Sequence, residues 1–397
     1  MRDPRGGPPP PRSRLAARRL PLFAGAALSL LAGLWSGLGL LGLGVPLPQG
    51  GLASQHGPLM ALGFLGTLVS LERSVALGRP WGYSAPVLAA LGAVAVLAGF
   101  VQPGRLLLTA AGGWLVAVYL VLLRRRPGYD TVIEMSGAVA WYVGGMLWTR
   151  TGLVTDLVPW LAAFLVLTIA GERLELARVA FLRRGAGTGM LAAAALVGAG
   201  AAVSVVHEDA GWRVTGLGML ALAGWLAAHD VARRTVRARG LPRYTAACLL
   251  AGYVWLAATG AMWLAWGLPE DGGGGYDAAL HALFLGFVVS MVFGHAPVIL
   301  PAVLRVRLPY HPVLYGPLVL LHAALVVRLL GDLTGGHGTR VLGGVLGEVS
   351  LLAFAACAVA ASRLVRPAAP GARGRAARPP RSPEPSPTHP DPGMEPS

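Results

Sequence analysis

From Tyr276 to Leu300 the chain reads YDAALHALFLGFVVSMVFGHAPVIL. Asp277 is its only carboxylate, no arginine interrupts it, and leucine, valine, phenylalanine and alanine fill most of the rest. A helix needs roughly 20 mostly apolar residues to cross the hydrocarbon of a bilayer, so this stretch has the length and character of a membrane span. Eleven similar runs lie near 20–45, 56–77, 84–101, 104–123, 131–149, 154–181, 188–206, 211–232, 243–266, 311–330 and 338–364. The predicted fold is therefore all-α, a polytopic membrane bundle of about twelve transmembrane helices whose principal partner is the lipid bilayer.

Composition agrees. Of 397 residues 55% are hydrophobic and only 13% charged, a balance foreign to a soluble domain of this length. The net charge of +15 is carried by arginine alone, since the chain has no lysine. Gathered into one stripe, these arginines would suggest nucleic acid. They fall instead in short clusters between apolar runs, as in the cytoplasmic loops of membrane proteins, and no nucleic-acid partner is expected. With the N-terminus inside, Arg124–Arg126, Arg183–Arg184, Arg233–Arg243, Arg305–Arg307 and both tails lie inward. Arg105, Arg150, Arg213, Arg328 and Arg340 lie outward, with acids such as Glu208, Asp209, Glu270, Asp271 and Asp332. That asymmetry predicts an inner-membrane protein of a bacterium with both termini in the cytoplasm.

The first run follows Arg14, Arg18 and Arg19 in the manner of a signal peptide. At roughly 25 residues it exceeds the 7–15 of an h-region and has no clear cleavage site, so it reads as the first span. Residues 1–19 and 366–397, rich in Pro, Arg and Ser, cannot bury enough apolar surface to offset the entropy of ordering. They are expected to be disordered basic tails around a transmembrane domain at 20–365. Loops such as Gly267–Tyr276 reach about ten residues, too short for a separate domain. Cys248 and Cys357 stand alone in apolar runs, which leaves no disulfide framework, and no C-x-x-C-H is present for covalent haem.

Spans two, six and ten run from the outer to the inner side and carry comparable features. GFLGTLVSLERS from Gly63 and GFVVSMVFGHAP from Gly286 set Glu72 opposite His295, and span six ends with Gly171-Glu172-Arg173. The spacing suggests three arcs of four helices, although small residues recur in membrane helices through packing alone.

Ionisable side chains inside a bilayer cost at least a few kcal/mol, so those present mark a site or a buried partner. Four histidines qualify. His56 opens span two, His281 and His295 lie near the outer and inner ends of span ten, and His322 is midway along span eleven. His56 and His281 should lie at similar depth beneath the outer surface, where two imidazoles could grip one planar cofactor, for which haem is the natural choice. Arg328 and Arg340 could receive the propionates, the bland alternative being arginines that snorkel to the interface. On an ideal helix His281 and His295 stand about 40° and ~21 Å apart, a separation that suits a second haem held by His295 and His322. A hydrogen-bonded, structural His295 is the competing reading.

His56-Gly57-Pro58-Leu59-Met60 resembles the H-G-x-x-M segment of haem-copper oxidase subunit I, whose histidine holds the low-spin haem. His281-Ala282-Leu283 with Gly286 and Met291 is similar to the H-A-L…G…M stretch of the NnrS family, haem-copper membrane proteins linked to nitric oxide responses. The resemblance covers the spans and not the tails. It implies twelve spans in three arcs, one b-type haem between His56 and His281 with Met60 beside it, and a redox partner. The departures are equally informative. An oxidase carries a second histidine two residues from its span-ten ligand, where Ala279 and Leu283 stand here, and residues 154–181 and 188–206 contain no histidine for copper. Copper and oxygen reduction are therefore not expected, and the resemblance implies electron transfer or a nitric-oxide or redox response.

Acids complete the inventory. Glu72-Arg73 and Glu172-Arg173-Leu174-Glu175 through Arg178 lie at inner helix ends, where ion pairing such as Glu175 with Arg178 is expected. Glu134 near the inner side and Glu348 near the outer side could relay protons, which keeps a cofactor-free transporter or membrane assembly factor as the alternative. Tryptophans such as Trp35, Trp114, Trp141, Trp160, Trp212 and Trp255 are expected mainly as interface anchors.

Overall fold

The computed structural model describes residues 12–46, 51–178, 185–268, 273–304 and 309–364. Most of the expected tails, Arg183–Arg184, Arg305, Arg307, Glu270 and Asp271 lie outside these residues. All regular elements among them are helical: α1 Arg12–Leu40, α2 Ala53–Leu77, α3 Ser84–Leu97, α4 Val101–Arg125, α5 Tyr129–Thr151 and α6 Val158–Arg178. There follow α7 Ala186–Val203, α8 Glu208–His229, α9 Leu241–Trp266, α10 Gly274–Pro301, α11 Tyr315–Thr334 and α12 His337–Leu364. Ten of these are long and apolar enough to cross a membrane, so the chain is a multi-pass membrane protein. The other two, α5 and α8, run to 23 and 22 residues but carry Asp130, Glu134, Glu208, Asp209 and Arg213. The helix α1 begins at Arg12, inside the segment expected to be a tail, because arginine, leucine and alanine in RSRLAARR all favour helix.

Consecutive helices pack as neighbours, most extensively α3 on α4, α4 on α5, α5 on α6, α7 on α8, α8 on α9 and α11 on α12. Contacts between distant parts of the chain close the bundle, with α1 against α2, α10 and α12. The helix α6 is apolar on every side, and Leu161 through Leu167 are all buried. Such a helix has no polar face to turn outward. It accordingly sits in the interior, touching α5, α7, α8 and α10, with 94% of its apolar window enclosed, against 28% for α1.

Tryptophan placement differs from the expectation. Trp35 and Trp114 are exposed, as anchors would be, but Trp141, Trp160 and Trp212 are buried with Trp148 and Trp263 in the core. Glycine explains how such large rings fit. A Cβ on Gly66 or Gly112 would strike Trp141, so the indole fills space that α2 and α4 leave by lacking side chains. Arg213 serves the C-terminal end of α9, donating to the carbonyls of Leu264 and Ala265 at 2.9 and 2.8 Å while pairing with Asp209. Those carbonyls end their helix and lack intrahelical partners.

Two spans are not uniform α-helix. Residues Leu59–Gly66 of α2 and Ala282–Val289 of α10 are π-helical, each eight residues long. Their glycines, Gly63 and Gly286, occupy the same place in each segment, the register in which the two sequences align. A π segment closes i→i+5 bonds and changes the phase of everything beyond it. The ideal-helix separation of His281 and His295 therefore does not apply.

Helix crossings depend on close approach at glycine, and one pair of substitutions tests this. A Cβ on Gly200 would collide with the backbone of Thr215 on α8, whereas one on Gly198 meets nothing within 4 Å. Gly200→Ala should lower stability by about 1–3 kcal/mol. Gly198→Ala should stay within about 0.5 kcal/mol of wild type, both measured by thermal unfolding of detergent-solubilised protein.

Candidate functional site

Polar side chains inside the bundle collect in two layers. In one layer His56 Nδ1 donates to the carbonyl of Gly33 at 2.7 Å, and His281 Nδ1 donates to the carbonyl of Asp277 at 2.8 Å. A carbonyl only accepts, so Nδ1 carries the proton in both rings and Nε2 keeps its lone pair. Among the described residues no protein group bonds to either Nε2. This is the arrangement of metal-binding imidazole, in which one nitrogen is tied to a carbonyl and the other offered. The two rings lie within electrostatic reach of each other and of Arg328.

Local sequence explains the approach. Gly33 and Gly37 lie one turn apart on α1 and leave that face as bare backbone. A Cβ on Gly37 would stand 3.0 Å from Glu348 Oε1 and 3.2 Å from His56 Cε1. On Gly33 it would stand 2.5 Å from Met60 Sδ. The His56 ring, Met60 and the Glu348 carboxylate thus close on α1 from α2 and α12.

Arg328 and Arg340 each stand against two aspartates. Arg328 reaches Asp277 at 3.4 Å and Asp332 at 3.4 Å, while Arg340 pairs with Asp277 and lies 3.3 Å from Asp332. Two cations face two anions, a charge-balanced cluster. Asp277 links it to the histidine, because its carboxylate is held by both arginines while its carbonyl orients His281. The spacings Asp277 to His281 and Arg328 to Asp332, both i,i+4, are the sequence signal that would have found these partners.

The second pair of histidines is engaged elsewhere. His295 Nδ1 donates to the carbonyl of Met291 at 2.7 Å, and its Nε2 accepts from Arg173 at 3.2 Å. His322 Nδ1 accepts from the Trp255 indole at 3.0 Å, which leaves the proton on Nε2, facing Ser290 Oγ at 3.5 Å. Both nitrogens of each ring are thus engaged in hydrogen-bond networks with the protein. Among the described residues no group of three or more His, Cys, Asp or Glu side chains surrounds a metal position.

The other layer holds two ion clusters. Arg73 is the hub of one, 2.8 Å from Glu172, 3.3 Å from Glu134 and 3.6 Å from Glu72. In the other, Arg173 donates to both oxygens of Asp230 at 2.7 and 3.0 Å, and the Tyr253 hydroxyl donates to the same carboxylate at 2.9 Å. Asp230 also accepts from the amide of Ala232, which turns the chain after α8. Glu175 pairs with Arg126 at 3.5 Å, and the Arg178 side chain, its expected partner, lies outside the described residues. Asp230 and Tyr253 were not legible as partners, since they meet Arg173 only by tertiary packing.

The chain belongs to the family described as a domain of unknown function (DUF8744), whose pattern matches residues 19–363. No curated protein matches it.

The buried Arg173–Asp230 pair yields a stability prediction. The side chains are 4% and 1% exposed, so removing one partner strands the other charge. Arg173→Gln should cost about 3–5 kcal/mol. The double variant Arg173→Gln with Asp230→Asn should recover part of that loss in the same thermal assay, because no lone charge remains.

Proposed function

We propose, with membership in that family as the premise, that the chain is a haem-binding inner-membrane protein of the NnrS and haem-copper-oxidase-like type. It acts in electron transfer or in a nitric-oxide or redox response and does not reduce oxygen. The observation that carries this reading is the pair His56 and His281, two imidazoles from opposite ends of the sequence with tautomers set by carbonyls and Nε2 lone pairs free.

These residues fit one b-type haem. Neutral imidazole nitrogen is a ligand that haem iron takes, and when bound the haem supplies one-electron chemistry. Gly33 and Asp277 would orient the two ligands, and Met60 would pack beside the His56 anchor. Arg328 and Arg340 would act through Asp277, holding in place the residue whose carbonyl fixes the direction of the His281 ring. Glu348, with no ion-pair partner among the described residues, is the carboxylate set beside His56. Copper has no place in the proposal, since α6 and α7 contain no histidine.

For the architecture we propose that α5 and α8 also cross the bilayer, giving twelve spans in three arcs of four with both termini in the cytoplasm of a bacterium. The arginine asymmetry and the matching π segments of α2 and α10 support this arrangement. A cofactor-free transporter or assembly factor is the second reading, favoured by the carboxylate-rich cluster around Arg73.

Absorption spectra of the detergent-purified protein, oxidised and reduced, decide between them. The haem reading expects a Soret band of a six-coordinate low-spin haem that is lost or altered in His56→Ala and in His281→Ala and retained in His295→Ala and His322→Ala. Gly37→Val, which would press on the His56 ring, should lower haem content in the same preparation. A colourless protein, or a band indifferent to both ligand substitutions, overturns the proposal. Proteoliposome flux dependent on Glu134, Glu348 or His295 in colourless protein would establish the second reading.

A further inference from the structure

The Arg73 cluster contains more negative than positive charge. Glu72, Glu134 and Glu172 come from α2, α5 and α6 and share the one guanidinium of Arg73. Among the described residues the neighbouring groups do not correct the imbalance. Arg173 is satisfied by Asp230, Glu175 by Arg126, and Arg125 donates to the carbonyl of Leu77. Asp130 on α5 is a further acid facing Glu134, and His295 on α10 faces Glu172 with its Nε2 already accepting from Arg173. Were all three glutamates ionised, the cluster would carry two uncompensated charges within a protein interior bounded by lipid. Carboxylates sharing a site in low dielectric do not all ionise, and the favourable remedy is for one to keep its proton.

A second observation points into the same place. The Tyr119 side chain of α4 is fully buried, and its hydroxyl has no hydrogen-bond partner among the described residues. It lies within electrostatic reach of Arg73 and of all three glutamates. The Nε of Arg73 is likewise buried without a partner. An unanswered hydroxyl and an unanswered N–H beside crowded carboxylates form a lining with unused hydrogen-bonding capacity, and capacity of that kind is seldom left idle in an interior. Access is graded. Glu72 is 29% exposed, Glu172 17% and Glu134 4%, so the three carboxylates lead from the inner face to the core. Gly171 makes the deepest position possible, because a Cβ there would collide with Cγ of Glu134.

We propose that this cluster is a proton-binding site in which Glu72, Glu134 and Glu172 together hold at least one exchangeable proton taken from water at the inner face. In the step itself a hydronium ion gives its proton to a carboxylate oxygen and leaves as water, and Tyr119 hydrogen-bonds to the resulting acid. The site is independent of the outer histidines and would exist whether or not the protein carries haem.

Infrared spectroscopy of the full chain in lipid nanodiscs tests it. At neutral pH the protein should show a carboxylic-acid C=O stretch that shifts on H/D exchange and disappears on alkaline titration. Glu134→Gln, which mimics the protonated side chain in shape and charge, should fold and lose most of this band. Tyr119→Phe should keep the band but shift its frequency, as the hydroxyl contact is gone. Glu208→Gln, on the outer side, should leave it unchanged. Thermal unfolding adds a second readout, since the wild-type protein should lose stability faster than Glu134→Gln as pH rises and the proton is withdrawn. Absence of an acid band at neutral pH overturns the proposal, as does a band identical in Glu72→Gln, Glu134→Gln and Glu172→Gln.

Discussion

Hydrocarbon offers no hydrogen bond and no counter-charge, and the arrangement of this protein follows from that single property of its solvent. A polar side chain on a span must meet another one inside the bundle. The arginines obey this to the end of their reach: Arg173 takes both oxygens of Asp230, Arg73 gathers three glutamates, and Arg328 and Arg340 share two aspartates. The Arg73 and Arg173 clusters join helices that are distant in sequence, and the Arg328–Arg340 cluster joins the three consecutive helices α10, α11 and α12. The same contacts that answer the charges therefore tie the bundle together.

Against that background the unanswered groups stand out. His295 and His322 use both ring nitrogens in protein hydrogen bonds, whereas His56 and His281 each use one. The difference is a matter of neighbours: Arg173 and Trp255 supply donors to the first two, and no described side chain supplies one to Nε2 of the others. Tyr119 shows the same property in the inner layer, a hydroxyl placed by the core yet left without a partner.

The π segments connect the two layers. Both begin within a few residues of a histidine, His56 or His281, and are followed by polar residues of the same span, Thr67, Ser70 and Arg73 in one and Ser290 and His295 in the other. Ser29 donates to the carbonyl of Leu59 at 2.9 Å at the start of the first, and Ser290 donates to the carbonyl of Cys248 at 2.8 Å at the end of the second. Short hydroxyls of this kind stabilise irregular backbone where water is absent. The extra residue rotates the inner half of each span relative to its outer half, so α2 and α10 can present histidine outward in the bundle and a charged or imidazole group to a different neighbour inward.

The sequence by itself determined the class of fold, because length and polarity of a span are set by the bilayer and can be read residue by residue. It also determined which side chains had to matter, since an ionisable group such as His281, Glu134 or Arg173 inside an apolar run needs a partner wherever the run lies. Only the tertiary structure decided who that partner is. Glu134 meets Arg73, Arg173 meets Asp230 and His322 meets Trp255 through helix crossings that no local pattern specifies. The two π segments escaped a reading based on a fixed 100° per residue, and the buried tryptophans escaped one based on interface preference. Both depend on glycine-lined contacts between helices, and contact is a property of the assembled bundle rather than of any one span.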